Sequence, residues 1–216
     1  MKKFSFRISN VLYDQVTMPI REKFDLIKLL ANTVKYILTE PINLADIPCN
    51  RELILYVDRM SRVFFCIDEK IISFHFPFYV TESEETPGYL EIVLAPDIRI
   101  DSIYSSILLA LFNDEEIFSG DLDTVSFKIL DEVQENEWPV SEESLFYIVQ
   151  FLMLFEPGYL RYDHDEEHSN GLFHPEHHID LYYSSNNTFK LGLLAAIQPE
   201  WLIDMTNVLT ECSYIR

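Results

Sequence analysis

Three short runs rich in β-branched and aromatic residues follow one another within twenty-six positions: LILYVD (53–58), RVFFCI (62–67) and IISFHFPF (71–78). The breaks between them, DRMS and DEK, are short enough only for hairpins, so the runs read as an antiparallel meander. Pro77 lacks a backbone donor and should place the third strand at an edge or end it. A fourth run, GYLEIVLA (88–95), follows the turn-forming TESEETPG.

Helical spacing frames this meander. Thr17 and Pro19 read as a start signal, and Phe24, Ile27, Leu30, Ala31, Val34 and Ile37 recur at helical intervals up to Glu40-Pro41. SIYSSILLALF (102–112) is long enough to favour a helix over a strand. VSFKIL (125–130) reads as one strand within an acidic stretch. Ser141 then caps a strongly apolar helix, EESLFYIVQFLMLF, stopped by Pro157-Gly158. A second meander follows in YLRYD (159–163), HHIDLYYS (177–184) and TFKLGLL (188–194), the last two joined by Ser185-Asn186-Asn187. A closing helix opened by Pro199 carries Leu202, Ile203, Met205, Val208, Leu209 and Cys212 on one side, and Trp138 and Trp201 read as core anchors.

The expected fold class is therefore α+β: antiparallel meanders packed with helices, with helix-then-three-strands occurring twice, over 17–78 and 141–194. No Ser/Gly-rich linker divides the chain. Residues 1–216 read as a single domain, with a possible subdivision into 1–100 and 101–216 by charge.

That charge is uneven. Residues 1–100 carry 12 Lys+Arg against 14 Asp+Glu (−2), and residues 101–216 carry 4 against 22 (−18). Between 114 and 143 stand Asp114, Glu115, Glu116, Asp121, Asp123, Asp131, Glu132, Glu135, Glu137, Glu142 and Glu143, with Lys128 the one base. Such a field disfavours direct binding of nucleic acid by the acidic half and suits a basic protein partner or a cation. At 48% hydrophobic and 14% aromatic, the chain has ample material for a core despite its net charge of −20. It contains no Gly-rich phosphate loop. Cys49, Cys66 and Cys212 are widely spaced without a CxxC pair, which is an intracellular pattern, and Cys66 in VFFCI reads as a core residue. No window approaches the roughly 18 uninterrupted apolar residues of a membrane span. A cytoplasmic protein that does not engage a membrane is expected.

Five of the six histidines fall between 164 and 178: His164, His168, His174, His177 and His178, threaded with Asp163, Asp165, Glu166, Glu167 and Asp180. His75, the sixth, reads as a core or edge histidine. Side chains alternate across a strand, which puts Arg161 and Asp163 on one face of the first hairpin strand and Leu160, Tyr162 and His164 on the other. On the next strand His178 and Asp180 share a face. If the strands pair, Arg161, Asp163, His178 and Asp180 project together, with His174-Pro175 in the connection above them.

Two chemistries suit that set. In one, His174, His178 and a carboxylate (Asp180 or Asp163) hold a divalent metal such as zinc, manganese or iron with a position open to water. In the other, a His–Asp pair (His178 with Asp163) works as acid or base while Arg161 holds an anion. The non-catalytic alternative is an Arg161–Asp163 ion pair and a cross-hairpin His178–Asp180 hydrogen bond, with His164 and His168 as solvated loop residues. The stretch Y-L-R-Y-D-H-D … H-P-E-H-H-I-D-L also resembles uncharacterised bacterial proteins, some of them domains of unknown function and some grouped with toxin–antitoxin loci. These carry R-x-D on one strand and HP-x-x-H on the next. The likeness covers residues 159–194. It implies Arg161, Asp163, His174 and His178 as family positions, in a bacterial protein of a toxin–antitoxin or antiviral defence locus. The extra His177 and the acidic middle segment depart from the pattern. The resulting expectation is an acidic protein that binds a basic partner, with a metal-dependent hydrolase or nuclease centred on the 159–184 hairpin as the alternative.

Overall fold

The computed structural model describes residues 1–42, 51–114, 117, 122–184 and 189–212. Cys49, the acids Glu115, Glu116 and Asp121 and the Ser185-Asn186-Asn187 turn lie outside them. Among the described residues, six helices and ten strands in antiparallel sheets make this an α+β fold, as the alternating and helical patterns require. Among the described residues no helix is long and apolar enough to cross a membrane. The chain divides into two compact units: Met1–Ser9, Asn43–Phe76 and Pro157–Arg216 form one, and Asn10–Ile42 and Pro77–Glu156 the other.

The first unit is a seven-stranded sheet in the order β1-β2-β3-β4-β8-β9-β10. Its strands are β1 (Lys2–Arg7), β2 (Arg51–Val57), β3 (Arg62–Ile67), β4 (Lys70–His75), β8 (Leu160–His164), β9 (His177–Leu181) and β10 (Phe189–Leu193). The turns at Asp58, Ser61 and Asp68 take positive φ, which Asp tolerates. The first meander forms as its spacing predicts. β4 ends at His75 before Pro77, yet it lies inside the sheet: it pairs with β8, with Lys70 opposite Asp163 and Ile72 opposite Arg161. The two meanders are thus halves of one sheet rather than separate repeats. On one sheet face Ile54, Phe64, Cys66, Ile71, Tyr162 and Ile179 pack with Leu202 and Ile203 of α6 (Pro199–Thr206). That helix is shorter than its apolar pattern suggests. Its last turn is closed at Asn207, Val208 and Leu209 are exposed, and Trp201 is partly exposed rather than a core anchor. β1, at one edge of the sheet, has no counterpart in the sequence reading. Its apolar positions Phe4 and Phe6 are flanked by lysines and an arginine that mask the alternation.

The second unit carries α1 (Asn10–Val16), α2 (Lys23–Thr39), the three-stranded sheet β5 (Tyr79–Glu82), β6 (Leu90–Ala95) and β7 (Ile98–Ile100), α3 (Ser102–Asn113), α4 (Leu122–Glu135) and α5 (Glu142–Leu154). α2 buries Leu26, Ile27, Leu30, Val34 and Ile37 and packs on α3, β6 and α5. It begins at Lys23 rather than near Thr17, whose hydroxyl instead donates to the Tyr13 carbonyl at the end of α1. The start is set by Asp25, whose carboxylate accepts the Arg21 and Glu22 backbone N–H groups. Asp101 caps α3 and Ser141 caps α5 from the opposite side: each precedes its helix, and its side chain accepts backbone N–H groups, from Ile103 and Tyr104 for Asp101 and from Ser144 for Ser141.

One element is corrected outright. Residues 125–130 are not a strand but the middle of α4. Val125, Ile129 and Val133, four apart, are all buried, whereas Phe127, which strand alternation would bury with Val125, is 66% exposed. Over six residues the two periods cannot be told apart, and the longer window is helical.

Candidate functional site

β8 and β9 pair antiparallel with Arg161 opposite Asp180 and Asp163 opposite His178. All four residues therefore stand on one side of the sheet, as alternation requires. Burial there is nearly complete: His178 and Asp180 are 1% exposed and Asp163 4%. Arg161 lies between the two carboxylates, its Nε 2.7 Å from Asp163 Oδ2 and its terminal nitrogen 2.6 Å from Asp180 Oδ2. Burial works against the guanidinium charge, but Tyr159, Asp163 and Asp180 outweigh it and hold Arg161 above its ordinary pKa. Burial also pushes the Tyr159 phenol up to about 12.

His178 is engaged at both ring nitrogens. Nδ1 lies 2.9 Å from the Pro175 carbonyl, which can only accept, so Nδ1 carries the proton. Nε2 is then the acceptor for the Lys190 ammonium at 3.1 Å. Lys190 also approaches Asp180 Oδ1 at 3.7 Å, and Lys70 approaches Asp163 Oδ1 at 3.8 Å. Those two carboxylate oxygens are buried and accept no hydrogen bond. The ligand atoms of Asp163, His178 and Asp180 lie within 4.8 Å of one another, close enough for a metal. Their charge, however, is already balanced by the protein's own cations, Arg161, Lys190 and Lys70. The arrangement is a closed ion network at the base of the hairpin.

His174 stands apart from this set. Its ring meets that of His178 edge to face at 4.8 Å, and its Nε2 points toward Asp165 Oδ2 at 3.3 Å. Asp165 also accepts from the His168 backbone and faces the His168 ring at 2.9 Å. Burial pushes the Asp165 pKa up, but these contacts together outweigh it and lower the pKa, and the same carboxylate raises that of the exposed His168. The His174-Pro175 connection does fold over the hairpin. A Cβ added to Gly192 of β10 would sit 2.8 Å from Pro175 Cγ, nearer than atoms can approach. Because the proline ring cannot swing aside, Gly192→Ala should displace this turn and destabilise the fold by about 1–3 kcal/mol. A urea melt unchanged from the parent would show that the turn is free to move.

The opposite face of the hairpin gathers groups that sequence reasoning set aside. His164 pairs with His177 across the strands, and their rings lie 4.6 Å apart. Glu176 Oε1 is 3.0 Å from His164 Nε2 and 3.6 Å from His177 Nε2. Alternation had already put His164 on this face. The missing information was the register that brings His177 and Glu176 to it. Among the described residues, these three form the second group with ligand atoms within 4.8 Å. His75 is half-buried, with its Nδ1 2.9 Å from the Ser61 carbonyl, and burial lowers its pKa.

Comparisons of the chain with protein-family models, with curated proteins and with solved structures find no match.

Proposed function

We propose that the protein is a partner-binding module that engages a basic protein surface through the outward face of α4. The observation that carries this reading is one stripe of that helix. Asp123, Phe127, Asp131 and Glu135 are spaced four apart, which places them one above another, and all four are exposed. An aromatic ring that is 66% exposed is thereby flanked by carboxylates, while Val125, Ile129 and Val133 face inward. Nearby Lys128 is paired with Asp114 at 2.8 Å, which draws its charge toward an acid. An arginine-bearing partner would stack its guanidinium on Phe127 and meet carboxylates on both sides. In the toxin–antitoxin or defence setting that the 159–194 resemblance implies, such a face would cover a surface that otherwise contacts nucleic acid.

The metal-dependent hydrolase reading has less support on the Arg161–Asp163–His178–Asp180 side. Asp163, His178 and Asp180 are buried, and both carboxylates are already paired with the partly exposed Arg161.

The test is a titration with an arginine-bearing amphipathic helical peptide at low and high salt. Affinity should fall by about tenfold or more as salt rises. Phe127→Ala should weaken binding by roughly tenfold, and D123K/D131K/E135K should abolish it. Reversing Glu82, Glu84 and Glu85 on the other acidic turn should change little. Equal losses from both sets of reversals, or indifference to salt, would reduce the stripe to a solubilising surface.

A further inference from the structure

We infer that His164, His177 and Glu176 form a binding site for a divalent transition metal of the zinc class, with Glu69 and Tyr162 as its outer supports. Each ligand is held by the backbone. The His164 N–H donates to the Glu69 carbonyl at 3.0 Å, and the Asp165 N–H donates to the Glu176 carbonyl at 2.8 Å, so the two glutamates flank His164. Cross-strand pairing brings His177 beside it.

The rings present the correct atoms. His164 Nε2 and His177 Nε2 both converge on Glu176 Oε1. Each ring uses its other nitrogen elsewhere: His164 Nδ1 faces the Glu69 carboxylate at 3.2 Å, and His177 Nδ1 faces the Tyr162 hydroxyl at 3.1 Å. This is the outer-shell pattern of metal-binding histidines, in which a carboxylate or hydroxyl fixes the ring and leaves the distal nitrogen for the metal. With Nδ1–H donated to Glu69, the Nε2 lone pair of His164 faces a carboxylate oxygen at 3.0 Å. Two acceptors so placed need a proton or a cation between them. A single proton serves one ring, whereas a metal serves both rings and the carboxylate.

The two histidine-to-glutamate distances lie near those of tetrahedral binding, and all three ligand atoms are within 4.8 Å of one another. Bonds of about 2.0–2.2 Å put ligand atoms roughly 3.3–3.6 Å apart, against the observed 3.0 and 3.6 Å. Two imidazoles and one carboxylate are a zinc-type donor set that leaves a coordination position open. His164 is 27% exposed at its side chain and His177 16%, so a metal could enter without unfolding. His164 also lines a cleft of about 240 Å³ with Glu69, Lys70, Tyr162 and Gln198.

The site is tested on the full-length chain, stripped with a chelator and titrated with zinc alone. One zinc per chain is expected, and H164A/H177A should lower its affinity by about 100-fold or more. Glu69→Gln should lower it by about 10- to 100-fold through loss of the outer support. H168A/H174A should leave it unchanged. Cobalt in place of zinc should give the visible absorption of a tetrahedral site, and Glu69→Gln should alter it. That measurement stands even if the double histidine variant is misfolded by circular dichroism. Zinc bound only at millimolar concentration, or bound as tightly by folded H164A/H177A as by the parent, overturns the assignment.

Discussion

Arg161→Met is expected to destabilise the first unit by about 3–5 kcal/mol, read as a drop in its urea or thermal midpoint. Among the described residues, the guanidinium is the only group hydrogen-bonded to both Asp163 and Asp180, whose side chains are 6% and 2% exposed. Removing it leaves two buried carboxylates facing each other with only lysines at 3.7–3.8 Å to offset them. The cost is that of stranded charge, not of a lost contact, so it should be reversible by removing the charge. R161M combined with D163N and D180N should recover most of the stability, because neutral amides no longer need the cation. A loss below about 1 kcal/mol for the single variant would mean that water or Lys190 compensates. A triple variant no better than the single one would place the damage in packing instead.

Phe64→Ala should cost about 3–5 kcal/mol, the range for truncating an aromatic in a close-packed core. Phe64 is fully buried in the interior strand β3, opposite Ile54 on one side, and its ring meets Tyr56 edge to face at 6.0 Å. It is also part of the cluster that seats α6 through Leu202 and Ile203, so amide exchange in α6 should rise with the substitution. The comparison with Phe127→Ala is diagnostic. That side chain is largely exposed, and its removal should shift stability by no more than about 0.5 kcal/mol. If the two truncations cost alike, the outward face assigned to Phe127 is wrong, and the partner-binding reading falls with it.

Most regular elements were legible where the pattern ran long enough. The meander 53–78, the helices after Ser141 and Pro199 and the hairpin 159–181 follow from alternation, capping and proline. Failures occurred where the window was short or the pattern diluted. VSFKIL satisfied two periods at once, β1 is interrupted by charge, and the three-residue β7 has too few positions to show a period. The C-terminal helix was over-extended because Val208 and Leu209 continue an apolar spacing after the backbone has turned away.

For the hairpin, the sequence by itself determined sidedness. Alternation places Arg161 and Asp163 on one face and Tyr162 and His164 on the other, and likewise puts His178 with Asp180, because the pleat is a local property of the backbone. The tertiary structure decided what those faces mean. Pairing of β4 with β8 joins residues some ninety positions apart and brings the β3–β4 turn, with Glu69, beside His164. Closure of the His174-Pro175 turn seals His178 and Asp180 from solvent while leaving His164 and His177 accessible. Such long-range pairing is chosen by the burial of whole faces and leaves no local period in the sequence. The residues that first read as a catalytic centre therefore became a buried ion network, and their neighbours across the sheet became the candidate metal site.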